Sequence, residues 1–184
     1  MEDATSYIAL QSLPAFDALV ALGVLPHVHH AHTALRNMRA LTRPGGHVFV
    51  ECRNKLFSLV TFNRYTYEFF MDDLFFDAPA ELRDGIGQYL SNRLQVDVPP
   101  PPASGHSATF HNPLDVPELF AAAGFEDITV IPFHYHPAMP SLESSAPQAF
   151  RDASIAMEHE ASGWRGLFLC SAFLVQARRP LTTA

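Results

Sequence analysis

Apolar residues crowd the segment 16–25 (FDALVALGVL) almost without interruption after Asp17. A run of that kind is written for a strand covered on both faces, as in a parallel sheet packed between helices, and such a strand belongs near the middle of its sheet. Directly after it, Ala31, Ala34, Leu35, Met38 and Leu41 recur at steps of three and four. That spacing lays one apolar stripe along a helix and leaves Arg36, Arg39 and Arg43 off it. Pro44-Gly45-Gly46 is expected to stop the helix, and 47–52 (HVFVEC) to form a second short strand. Strand, helix and strand then make one unit whose crossover should be right-handed and parallel.

Residues 56–94 look helical in two pieces. The first is rich in aromatics, and its Tyr65, Tyr67, Phe69 and Phe70 suit a core better than a pocket wall. The second is expected to open on Asp77 as a cap with Pro79 in its first turn, and to bury Leu82, Ile86, Tyr89 and Leu90 on one face. The segment 95–114, with consecutive prolines at 99–102, is too proline-rich for regular structure and reads as a surface loop. Asp115 is placed to cap a short helix that Gly124 ends, and 125–133 returns as a strand. A helix-compatible stretch at 147–160 and a last strand at 166–177 (GLFLCSAFLVQA) follow, with no internal repeat.

With 184 residues, of which 48% are hydrophobic and 17% charged, the chain suits a single domain with a real core. Its apolar stretches are broken by charge or proline before the ~18 residues of a membrane span, and Met1-Glu-Asp-Ala is no basic start to an apolar leader. A soluble cytoplasmic protein without a membrane partner is expected. Cys52 and Cys170 sit inside apolar runs, as buried free thiols do. The net charge of −7 has the wrong sign for gripping phosphates, so no nucleic-acid partner is expected.

Four segments, in order, resemble the second half of a class I S-adenosylmethionine-dependent methyltransferase. FDALVALGVLPHV resembles that family's fourth strand and turn, and LTRPGGHVFVE its helix end, PGG turn and fifth strand. HNPLDVPELFAAAGFEDITVI resembles the approach to the sixth strand, and GLFLCSAFLVQARRP the seventh. The implied fold is a partial Rossmann-like α/β sheet of about four strands, ordered four, five, seven, six, the last strand antiparallel, with helices on both faces. The implied activity is methyl transfer from S-adenosylmethionine to a small-molecule acceptor, expected to be an oxygen.

The family's glycine-rich cofactor loop has no counterpart in the sequence. Gly85 and Gly87 fall in a helical stretch rather than between a strand and a helix, so they do not make that turn. The span 1–184 is therefore read as one N-terminally truncated methyltransferase domain. A strand written for two neighbours then shows an open edge and uncovered faces, and a partner chain or a second copy is expected there. The alternative function is a non-catalytic half-domain that pairs through that edge.

The resemblance also implies site residues. Asp3 would accept from the adenine amine and the Ala4 backbone would meet the ring; Leu22, Gly23 and Val24 would touch the methionine end of the cofactor. Where many relatives carry Glu-His, this chain has Pro26-His27, so the carboxylate is missing and His27 alone is the candidate base. The sulfonium is already an activated methyl donor, so no triad or metal is required. Arg53 and Asn54, with Lys55, could meet an anionic acceptor, and His134 and His136 leave the sixth strand at the edge where open α/β sheets bind ligands. His29, His30 and His32 lack acidic or cysteine neighbours, and no metal site is expected from them.

Overall fold

A computed structural model describes residues 13–95, 108–160 and 163–181. The described residues form two compact units, one of residues 13–54, 108–133 and 172–181, the other of 55–95, 134–160 and 163–171.

The first unit holds the sheet. β1 (Phe16–Ala21) runs parallel to β2 (Thr42–Asn54), and the connection between them is the helix α1 (Ala31–Leu41). The strand order is β1-β2-β5-β4, with β5 (Cys170–Arg178) antiparallel to β2 and β4 (Glu126–Tyr135) beyond it. This is the order expected from the four motifs, including the reversed last strand. A fifth, two-residue strand, β3 (Phe110–His111), pairs parallel with Arg53 and Asn54. The sequence gives no sign of it, because two residues carry no period.

The apolar stripe of α1 is buried as predicted through Ala34, Leu35, Met38 and Leu41. With Phe120 and Ala123 it packs against Val48, Val50, Val175 and Ala177 of the sheet. Phe120 belongs to α5 (Val116–Ala122). The helices α1 and α5 share one core with one side of the strands, and β2 alternates accordingly. Val48, Val50 and Cys52 are buried while His47, Phe49 and Glu51 are half-buried. The expected mixed α/β sheet flanked by helices is present, and among the described residues of this unit α1 and α5 cover one side of it.

β1 departs from a central position. It ends the strand order, stops at Ala21 rather than 25, and leaves Phe16 43% and Val20 62% exposed. The residues are apolar because the strand suits two neighbours, and among the described strands it has one.

The PGG segment also differs from expectation. α1 ends at Leu41, ahead of it, and Pro44-Gly45-Gly46 lies within β2 as a bulge. From Phe16↔Thr42 to Ala18↔His47 the register advances two residues on β1 and five on β2. Gly45 takes φ +79 there, and an added Cβ on Gly46 would strike the Asp17 carbonyl oxygen at 2.7 Å.

Gly124 ends α5 as expected, with φ +89 and the Phe125 N–H donating to the Phe120 carbonyl at 3.1 Å. The Phe120 and Phe125 rings lie 5.9 Å apart, which completes a Schellman-type stop. Asp115 stands at the cap position but does not cap; its carboxylate accepts from Asn112 Nδ2 at 2.8 Å.

The second unit is helical: α2 (Ser58–Thr61), α3 (Arg64–Phe69) continuing as a π-turn Phe70–Leu74, α4 (Ala80–Leu94), α6 (Pro147–His159) and α7 (Trp164–Leu169). Asn63 caps α3, accepting from the Tyr65 N–H at 3.0 Å, while Thr66 Oγ1 accepts from the Asn63 N–H. Two predictions fail here. α4 begins after Pro79, so Asp77 is not its cap, and its face toward Tyr67 and Met71 carries Gly87 while Leu82 and Tyr89 are exposed. A glycine permits that close approach, and a reading based on large apolar residues misses a face made by the smallest one. The predicted last strand likewise begins late, because 166–169 are the end of α7.

Candidate functional site

Leaving β1, the chain turns through Leu22, Gly23 and Val24 into a single 3₁₀ turn, Leu25–His27. Gly23 adopts φ +66, and its N–H donates to Glu51 Oε2 at 2.9 Å. Glu51 follows Val50, the β2 partner of Ala21, so the carboxylate is one residue past the last paired position and reaches across to hold the turn. Leu22 is 61% exposed, Val24 half-buried and His27 exposed. Burial, and then the neighbouring Glu51 charge, push the Cys52 thiol up to about 12.

The chain just before α5 joins the same edge. The Thr109 N–H donates to the Pro26 carbonyl at 2.7 Å, and β3 follows at once alongside Arg53 and Asn54. The Arg53 guanidinium lies 6.0 Å from the centroid of the Phe110 ring, and Asn54 is 1% exposed. Leu22, Gly23, Val24, His27, Arg53 and Asn54, six residues singled out in the sequence, therefore stand on one unit at the ends of its parallel strands. Lys55 pairs with Asp73 at 2.6 Å in the other unit. Asp3 and Ala4 lie outside the described residues.

His134 and His136 belong to the second unit, beside a cavity of about 300 Å³ also lined by Glu143, Phe150, Arg151 and Glu158. His134 takes φ +59, unusual for a non-glycine residue. Its carbonyl accepts from Ser171 Oγ at 3.2 Å, and Ser171 Oγ in turn lies 3.2 Å from His136 Nε2. Phe57 packs on the His136 ring with centroids 4.8 Å apart. Burial, then the neighbouring His134, lower the His136 pKa, and Glu143 opposes them.

Two contacts at these places escaped the sequence reading. Glu51 carried a signal, being the single carboxylate inside the apolar run HVFVEC. Ser171 carried none. Among the described residues no group of three or more His, Cys, Asp or Glu is arranged to hold a metal, and His32 Nε2 lies 3.2 Å from the Ala122 carbonyl.

Whether S-adenosylmethionine fits the described residues is tested at the turn Leu22–Val24. Nothing crowds Gly23, so a ligand has room to approach the turn, but its N–H is already given to Glu51. No glycine-rich turn joins a strand to a helix among the described residues, so the nucleotide half of such a ligand has no cradle in them.

No protein-family profile matches the sequence, and no curated protein does. Solved structures do show similar arrangements. A methyltransferase from Archaeoglobus fulgidus described as SAM-dependent is 14% identical, with 95% of this chain and 65% of that one covered at a TM-score of 0.47. A possible histamine N-methyltransferase from Thermotoga maritima is 12% identical, with 92% and 60% covered at 0.44. An S-adenosylmethionine-dependent methyltransferase from Mesorhizobium loti is 14% identical, with 92% and 66% covered at 0.43. The chain thus spans under two thirds of the first two.

Proposed function

We propose that this chain provides the acceptor-facing half of a methyltransferase that moves a methyl group from S-adenosylmethionine to a small molecule, which receives it on an oxygen. The observation that carries the reading is the strand order β1-β2-β5-β4 with β5 reversed against β2, the arrangement the four sequence motifs anticipate. The cofactor supplies an activated methyl group, so the protein's task is alignment. The turn Leu22–Val24, fixed by Glu51, backs the methionine end, and Asp3 and Ala4 meet the adenine. His27, exposed on the same turn, takes the hydroxyl proton. Arg53 and Asn54 on the first unit are the candidate acceptor contacts there, and His134 and His136 are the candidates on the second.

Calorimetric titration with S-adenosylmethionine, followed by transfer of labelled methyl to a panel of small hydroxyl compounds, tests the proposal. Saturable heat and transfer are expected, with His27→Ala lowering transfer about 100-fold while cofactor binding persists. Absence of heat from the full chain refutes it.

One observation favours a second reading, a non-catalytic module that pairs through the sheet edge. β1 ends the strand order with Phe16, Val20 and Leu22 exposed, and an open apolar edge is a template for strand addition. Light scattering decides it: a monomer insensitive to Val20→Lys excludes self-pairing.

A further inference from the structure

The apolar face that the sequence writes into α4 is left uncovered. Leu82, Ile86 and Tyr89 share one stripe of the helix and Arg93 continues it, at steps of four, three and four. Inside its own unit α4 packs through a different face, where Gly87 meets Tyr67 and Met71. Leu82 is therefore 57% and Tyr89 63% exposed, and Ile86 is half-buried. A single apolar residue on a surface needs no explanation, but an aligned stripe is what a helix carries when a second element covers it.

The charges along the stripe say which element that is. Asp77 and Glu81 stand exposed at its N-terminal end, and Arg93 is exposed at its C-terminal end. Among the described residues the ion pairs of this stretch use Glu68, Asp72 and Asp73 instead. One end of the stripe is thus negative and the other positive. The spacing four, three, four also reads the same from either end. A second copy laid antiparallel sets Ile86 against the partner's Tyr89, and Leu82 against the stem of the partner's Arg93, twice about one two-fold axis. Each Arg93 guanidinium then meets the partner's Asp77 and the partner's Glu81. A parallel copy would set Arg93 beside the partner's Arg93 and acid beside acid, which is unfavourable.

We propose that α4 is the contact between two copies of this chain, paired antiparallel through Leu82, Ile86 and Tyr89, with Arg93 of each copy against the acidic end of the other. The surface lies within the second unit, apart from the β1 edge and from the residues assigned to methyl transfer. A helix of 15 residues is ~22 Å long, and two such stripes bury less than the ~1,200 Å² at the lower end of stable interfaces. The dimer is accordingly reversible.

Light scattering over a dilution series of the full chain tests this without any cofactor. The mass should rise from one chain toward two between about 1 µM and 1 mM. Tyr89→Lys should weaken the dimer about tenfold or more, as loss of a central aromatic does, while Val20→Lys on the β1 edge leaves it unchanged. Arg93→Glu should weaken it about fivefold, because two exposed ion pairs become two repulsions, and adding Glu81→Arg should restore it. These side chains are exposed in the single chain, so circular dichroism should stay that of the native protein. The same charge signs suit the dipole of α4, and a role confined to helix stability would change the dichroism and not the mass. The proposal is overturned if the chain stays monomeric at every concentration up to about 1 mM. It is overturned equally if Val20→Lys rather than Tyr89→Lys abolishes the dimer, or if Arg93→Glu with Glu81→Arg associates no better than Arg93→Glu alone.

Discussion

Replacing Gly46 by alanine tests whether the PGG segment is a bulge that glycine alone can fill. The added Cβ would sit 2.7 Å from the Asp17 carbonyl oxygen, 2.8 Å from Thr42 Cγ2 and 3.0 Å from the Arg43 carbonyl oxygen. Two of these are backbone atoms, one on each of the paired strands, and neither can rotate away. Relief requires β1 and β2 to part at the bulge, beside the ion pair of Arg43 with Asp17. Overpacking of this kind costs about 1–3 kcal/mol, and rigid backbone neighbours put Gly46→Ala near the top, about 3 kcal/mol. Against a typical folding stability of about 5–15 kcal/mol this is a large fraction. Two further glycines provide the comparison. At Gly45 the Cβ would meet only the end of the Leu181 side chain, which is 70% exposed and can move. There the cost is the left-handed φ alone, about 1–2 kcal/mol. Gly85 lies in α4 with open space around it, so Gly85→Ala should stabilise, by up to about 1 kcal/mol. Urea unfolding followed by circular dichroism reads all three. A Gly46→Ala protein as stable as Gly45→Ala would refute the bulge geometry.

Two more expectations concern titratable groups. The folded-state pKa of His136 lies below the ordinary imidazole value, so the neutral ring contributes stability that is full above about pH 6.5 and is lost as pH falls through the lowered folded value. The unfolding midpoint should therefore drop on the acid side, and His136→Gln should flatten that drop; His134, Glu143, Arg151 and Glu158 line the same cavity as His136 and remain in the variant. Cys52 is fully buried with its thiol pushed up to about 12, and Cys170 is buried too, so a disulfide-exchange reagent at neutral pH should label neither before unfolding. Rapid labelling of the native protein would show that the core near β2 opens.

Much of the fold is legible because it rests on local periodicity. The stripe Ala34, Leu35, Met38 and Leu41 has to be buried wherever the helix docks, and HVFVEC has to be a strand beside it. The motifs also conveyed the reversed last strand, a long-range fact, because the resemblance carries topology that periodicity does not. At the site, the turn residues Leu22, Gly23 and Val24 were legible, while the partner of Gly23 was not, since Glu51 is 28 positions away in sequence.

The sequence by itself determined the longer elements, the apolar stripe of α1 and the glycine stop after α5, since these follow from side-chain spacing on a fixed backbone period and from local turn chemistry. Tertiary structure decided what spacing does not encode. It put the apolar β1 at the end of the sheet, placed Gly45 and Gly46 in a bulge rather than after a helix, and set Gly87 against Tyr67. It also joined Ser171 to His136 and Glu51 to Gly23. Those outcomes depend on which backbones meet, and contacts between distant segments are chosen by packing and hydrogen-bond satisfaction across the whole unit rather than by any local pattern.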